Sequence, residues 1–139
     1  MSQSSDEEAK KEAERQSRIA ELKVQLSSVD NSITHFTNVL RTLTDGKTSL
    51  TSYNNTLDTD VFTPVDSYAI YGSNDWEGTN ADDAVTSHVT VKSSNTSYQT
   101  ELTQLTTDIQ DGIDNANEKI QSLYNERNNI LSQLRDLGA

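Results

Sequence analysis

Apolar residues in this chain recur in alternating steps of three and four over two long stretches. That spacing allows little besides long helices paired along a seam. The first stretch is Ile19, Leu22, Leu26, Val29, Ile33, Phe36, Leu40 and Leu43, and its register continues through Lys47, Leu50, Asn54 and Leu57. The second is Ala81, Ala84, His88, Val91, Asn95, Tyr98, Leu102, Leu105 and Ile109. It then takes a step of four to Ile113 and runs on through Ala116, Ile120, Leu123, Arg127, Ile130, Leu134 and Leu137. The extra residue reads as a stutter, which locally unwinds a left-handed supercoil, and Gly112 beside it allows a bend.

These patterns divide one domain into a charged helical lead-in over 1–18, a first helix over 19–57, an apolar loop over 58–79 and a second helix over 80–137. In the lead-in, Ser5 with Glu8 three residues on forms a capping box. Glu7/Lys11 and Glu14/Arg18 stand at helix-pairing distance. Gly46 weakens the first helix by about 1 kcal/mol relative to Ala, which places its end between 46 and 57. Thr63-Pro64 disfavours helix at Thr63. The loop around it is rich in Val61, Phe62, Val65, Tyr68, Ile70 and Tyr71, so it should fold back onto something and can hold a short helix or strand. Asn80 is the expected N-cap of the second helix, with Asp82 and Asp83 in its first turn. Gly138 is its expected stop.

The expected fold is all-α: an elongated antiparallel helical hairpin, coiled-coil-like, with its tightest pairing between residues 19–43 and 102–137. The first half of the second helix offers Ala, His, Asn and Tyr where Leu would pack better. Only 32% of the residues are hydrophobic, against roughly 45–50% in ordinary soluble domains. About twenty seam residues, each contributing about 1.5–3 kcal/mol, must then offset the ordering of on the order of 100 residues. The hairpin is therefore expected to complete a four-helix bundle with a partner, either its own copy or another helical protein.

The net charge is −11, so the chain repels phosphate backbones and anionic membrane surfaces, and neither nucleic acid nor a membrane is an expected partner. No apolar run approaches the roughly 20 residues of a membrane span. The absence of cysteine removes disulfides, thiolate catalysis and Cys-based zinc sites. Residues Met1 to Arg18 are charged and carry no signal-peptide core, so export, if it occurs, is expected to avoid the general secretory route.

No catalytic, cofactor or metal residue is assigned, and the chain is expected not to be an enzyme. His88 lies on the seam and His35 beside it, without a second ligand at metal-binding spacing. Asp58-Thr59-Asp60 opens like a calcium loop, but Thr63 stands where the glycine is required and Ala69 where the glutamate is required. Asp108, Asp111, Asp114 and Glu118 read as a solvated face. No nucleophilic triad or phosphate-binding loop can be assembled.

Between the two helices stands Trp76-Glu77-Gly78, which holds the only tryptophan. Trp76 can staple the loop to the first helix, or present an aromatic anchor to a partner. Gly78 permits a tight turn. With Ala81 and an apolar residue at Ala84 or Val85, this junction resembles the WXG superfamily of helical-hairpin proteins linked to type VII secretion in Gram-positive bacteria. The length is more similar to the YwqH-like, LXG-toxin-associated α-helical proteins. The resemblance implies a non-enzymatic partner that binds the helical domain of an LXG-type toxin and forms with it a substrate for a secretion ATPase. It also implies a cytoplasmic protein later secreted or held at the cell surface.

Family members or their partners often carry a Tyr-x-x-x-Asp/Glu export signal near the end of the second helix. Here Tyr124 is followed four residues later by Asn128. Tyr71 and Asp75 fit the spacing but precede the tryptophan, and Phe62 to Asp66 is interrupted by Pro64. An adaptor whose partner supplies the signal is therefore favoured. The expected partner-binding residues are Trp76, Gly78, Phe62, Tyr68 and Tyr71 in the connection, with Leu22, Leu26, Ile33, Phe36 and Leu40 on the seam. The seam equally suits a self-assembling structural coiled coil, of phage or cell-surface type, and a cytosolic chaperone or antitoxin.

Overall fold

The computed structural model describes the backbone of residues 2–68 and 78–139 and the side chains of residues 3–68 and 80–139. It is an all-α helical hairpin, with no strand among the described residues. Helix α1 is Ser2–Leu57, followed by a π-helical turn, Asp58–Phe62, and the short helix α2, Thr63–Ser67. Helix α3 is Gly78–Asp136. None of the described helices is long and apolar enough to cross a membrane.

The chain forms two compact units: Met1–Thr42 with Ile113–Ala139 (unit 1), and Leu43–Gly112 (unit 2). In unit 1 the helices run antiparallel. Arg15 Nε donates to the Leu137 carbonyl at 2.8 Å, Arg18 Nη2 to Gln133 Oε1 at 2.9 Å, and Arg127 Nε to Asp30 Oδ1 at 2.7 Å. The core between them is Ile19, Leu22, Val29 and Ile33 from α1 against Leu123, Ile130 and Leu134 from α3, with Leu26, Phe36 and Leu137 packed at its edge. All are a/d positions of the heptad pattern, which explains why each helix buries a stripe and leaves the rest to water.

The C-terminus of α3 is closed by backbone geometry. Gly138 has φ +75°, its N–H donates to the Arg135 carbonyl at 2.9 Å, and the Ala139 N–H donates to the Leu134 carbonyl at 2.9 Å. This is a Schellman motif, in which a glycine takes the left-handed position that other L-residues enter only with strain. Arg15 satisfies the remaining Leu137 carbonyl, and so ties the lead-in to the end of α3. Glu12, bound by Gln16 Nε2 and Arg15 Nη1, has its carboxyl held below the usual range, first by the Gln16 hydrogen bond and then by the Arg15 charge.

Four local features differ from the pattern read in the sequence. Helix α3 begins at Gly78, so Asn80 stands inside its first turn instead of capping it. Helix α1 starts at Ser2 rather than after Ser5, because Gln3 and Ser4 carry no helix breaker. Arg18 pairs with Glu21 at 2.9 Å and reaches Gln133, rather than turning back to Glu14. Thr63 is helical in spite of Pro64. The π-helical turn accounts for this: the Thr63 N–H donates to the Asp58 carbonyl five residues back, and the widened turn makes room for a residue that has no N–H of its own. Proline then occupies the first turn of α2, where no donor is needed.

Leu22 is fully buried whereas Val24 is 71% exposed. Leu22→Ala is expected to cost about 2–5 kcal/mol and Val24→Ala to stay within about 0.5 kcal/mol, read by chemical denaturation followed by circular dichroism. A Cβ at Gly112 would meet Leu43 Cδ1 at 3.2 Å, whereas one at Gly46 would meet nothing within 4 Å. Gly46→Ala should therefore raise stability by about 1 kcal/mol, and Gly112→Ala by distinctly less, in the same assay.

Candidate partner-binding surface

The first half of α3 does not bury the residues that its apolar spacing suggests. The inward positions, buried or half-buried, are Ala81, Val85, His88, Lys92, Asn95, Gln99, Leu102, Thr106 and Ile109, continuing to Ile113 and Ala116. These steps alternate without interruption, so the stutter expected between Ile109 and Ile113 is absent. Val91, Tyr98 and Leu105, expected on the seam, are 46%, 48% and 47% exposed. Each stands one residue before an inward position. A helix turns about 100° per residue, so that single offset moves a side chain off the seam onto its flank.

Polar side chains occupy the vacated positions, by different means. Thr106 donates its hydroxyl to the Leu102 carbonyl at 2.9 Å. Lys92 and Gln99 have long stems that can lie along apolar surface while their polar ends reach outward. His88 Nε2 makes a short contact with the Val65 carbonyl, and its ring meets Tyr68 edge-on at 6.0 Å. Lys47 Nζ on α1 donates to Gln110 Oε1 on α3. Asn95 has no such solution: its Nδ2 is buried and finds no acceptor.

The apolar residues displaced to the flank align. Ala84, Val91, Tyr98 and Leu105 recur every seven residues, which puts them on one line of α3. Pro64, Val65 and Tyr68 face Ala84, Ser87, His88 and Val91 across an open groove of about 490 Å³. Phe62 is the apolar anchor of unit 2, buried and edge-on to Tyr98 at 6.2 Å. The result is a shallow, solvent-facing apolar strip, with the Tyr98 hydroxyl and the Ser87 and His88 side chains as its polar handles.

The expected partner-binding residues separate into three groups. Leu22, Ile33 and Phe62 are covered by this chain's own helices, and Leu26, Phe36 and Leu40 are half-buried. In this hairpin the seam residues therefore serve the intramolecular core, and of the expected side chains among the described residues Tyr68 alone, at 53%, is exposed. Gly78 is the first residue of α3. Trp76, Tyr71 and Asp75 lie outside the described residues, as does Ala69 of the Asp58 motif. Val91, Tyr98 and Leu105, expected on the seam from their apolar character, instead stand on the flank, as the register of residues 113–137 extended backwards requires.

The remaining candidates are placed as follows. His35 is exposed, edge-on to Phe36 at 5.1 Å, on an open depression lined by Val24, Ser27, Ser28, Asn31 and Ser32. Asp108, Asp111, Asp114 and Glu118 are each exposed. Among the described residues no three His, Asp or Glu side chains are gathered as a metal site would require.

No protein-family model, no curated protein and no solved structure matches this chain. The functional reading therefore stands on the geometry above and on the residues of the Trp76 junction.

Replacing Asn95 tests the cost of the polar seam. Asn95→Leu removes a buried donor that has no partner and is expected to stabilise the protein by about 1–2 kcal/mol, seen as a higher midpoint in thermal melting. An unchanged or lower midpoint would show that the amide is satisfied.

Proposed function

We propose that this protein is a non-enzymatic partner of a type VII, ESX-like secretion system. It binds the helical domain of an LXG-type effector and accompanies it to the secretion ATPase. The observation that carries the reading is an all-α hairpin whose second unit has a polar seam and an outward apolar stripe, joined to the Trp76-Glu77-Gly78 junction that opens α3. A helical hairpin with a spare apolar face is half of a four-helix bundle, and a helical effector domain is the natural complement. No step of chemistry is assigned to any side chain.

In this reading the protein meets its effector in the cytoplasm and leaves the cell with it, the effector supplying the export signal. Trp76 acts as an anchor at the interface, where a large rigid aromatic contributes more than its neighbours. The self-assembling alternative differs in one respect: it predicts homo-oligomers indifferent to Trp76.

Affinity capture of the tagged full chain from its native cells, beside Trp76→Ala, with mass spectrometry of the captured proteins, tests the proposal. The expected result is a larger protein with a helical N-terminal domain or a secretion component, reduced about tenfold or more in the variant. Capture of the protein alone, equally in both samples, would overturn it in favour of a structural coiled coil.

A further inference from the structure

The two units differ sharply in charge. Between Leu43 and Gly112 stand nine Asp and two Glu against two cations, Lys47 and Lys92, so unit 2 carries −9 of the chain's −11. Both lysines are half-buried on the seam. The remainder of the chain, which forms unit 1, carries only −2. The same unit 2 holds the heptad-spaced stripe of Val91, Tyr98 and Leu105 and the groove beside Tyr68.

We propose that the stripe along Ala84, Val91, Tyr98 and Leu105, with the groove at Tyr68, is the docking surface for a basic amphipathic helix. This deepens the partner-binding part of the function above, on which it rests, and is independent of export. The occupant is a helix with apolar residues at heptad spacing and Lys or Arg flanking them. From Ala84 to Leu105 the stripe runs about 31 Å, the length of three heptads.

Three physical arguments select this occupant. The spacing of seven matches a helix lying nearly parallel to α3, whose own apolar residues fall between successive stripe positions. The −9 charge of unit 2 attracts cations flanking the incoming seam and speeds the encounter. A second copy of this chain is disfavoured, because it would bring −9 against −9 at unit 2 and offers no cationic unit elsewhere.

The test uses the full-length protein and synthetic helical peptides of three heptads. One has Leu at the two seam positions and Lys flanking them. A second keeps the Leu and replaces the Lys by Glu. A third keeps the Lys and scrambles the Leu. Titration is followed by fluorescence anisotropy of the labelled peptide, and self-association by analytical ultracentrifugation.

The Lys-flanked peptide is expected to bind, at least about tenfold more tightly than either control, and more weakly as salt rises. Val91→Ser with Leu105→Ser leaves the charge unchanged and removes two half-exposed side chains. It should weaken binding by about tenfold while the thermal midpoint stays within a few degrees. Equal binding of the Glu-flanked or scrambled peptide would overturn the proposal, as would indifference to the double substitution. A homodimer that dissociates in the double variant would overturn it too, by assigning the stripe to a second copy. Capture of an effector from native cells despite failed peptide binding would sink this surface alone. Peptide binding without any captured effector would sink the secretion role alone.

Discussion

The phase of α3 is the constraint on which the rest depends. A helix has no freedom to rotate one side chain inward without rotating its neighbours by the same angle. Ile113, Ala116, Leu123, Ile130 and Leu134 are buried and fix which side of that part of the helix faces inward. Counted back from Ile113 in steps of four and three, the inward positions fall on Ile109, Thr106, Leu102, Gln99, Asn95, Lys92 and His88, and these are the positions found buried or half-buried. Val91, Tyr98 and Leu105 are one residue out of phase, and their hydrophobicity cannot change that.

The consequence is an uneven distribution of stability. Unit 1 has an apolar seam, a closed C-terminus and the Arg127–Asp30 pair, itself half exposed and so a modest contributor. Among its described residues unit 2 has Phe62, Ala81 and Leu102 as buried apolar side chains, and its stretch of α3 carries polar groups at most of the other inward positions. Its stretch of α3 is also rich in threonine. The Thr86, Thr90, Thr96, Thr100, Thr103, Thr106 and Thr107 hydroxyls each donate to the carbonyl four residues back. Those bonds satisfy the hydroxyls but add nothing to helix propensity, and back-bonded threonines tend to bend a helix. Local opening should therefore concentrate in unit 2, which is where binding surfaces are commonly found.

Most of the fold was legible because the seam of α1 obeys one rule throughout. Every a/d position from Ile19 to Leu57 is buried or half-buried, including Lys47 and Asn54, which periodicity included despite their polarity. The second half of α3 follows the same rule. In the first half hydrophobicity and phase disagree, and a register set by apolar character points to the wrong face. The stutter inferred at Ile113 was the visible sign of that disagreement. Extending the strong pattern of residues 113–137 backwards would have placed Val91, Tyr98 and Leu105 on the flank. Helix at Thr63 was illegible for another reason: a π-helical turn is a backbone solution to the proline that follows, and no side-chain pattern announces it.

A hairpin with apolar residues both on its seam and on its flank would offer two faces to any helix, its own copies included. Here the α3 stretch of unit 2 gives Val91, Tyr98 and Leu105 to the flank and mostly polar residues to the seam, at a cost to its own stability that Asn95 makes explicit. Buried polar groups of this kind restrict which partners and registers a helical interface accepts. The negative charge of unit 2 adds a second restriction, because it penalises like-charged partners, including another copy of the chain. In the role proposed above, the polar α3 seam and the negative charge of unit 2 together favour heterotypic pairing over self-association. For the adaptor proposed above, that selectivity matters more than the stability an apolar seam would add.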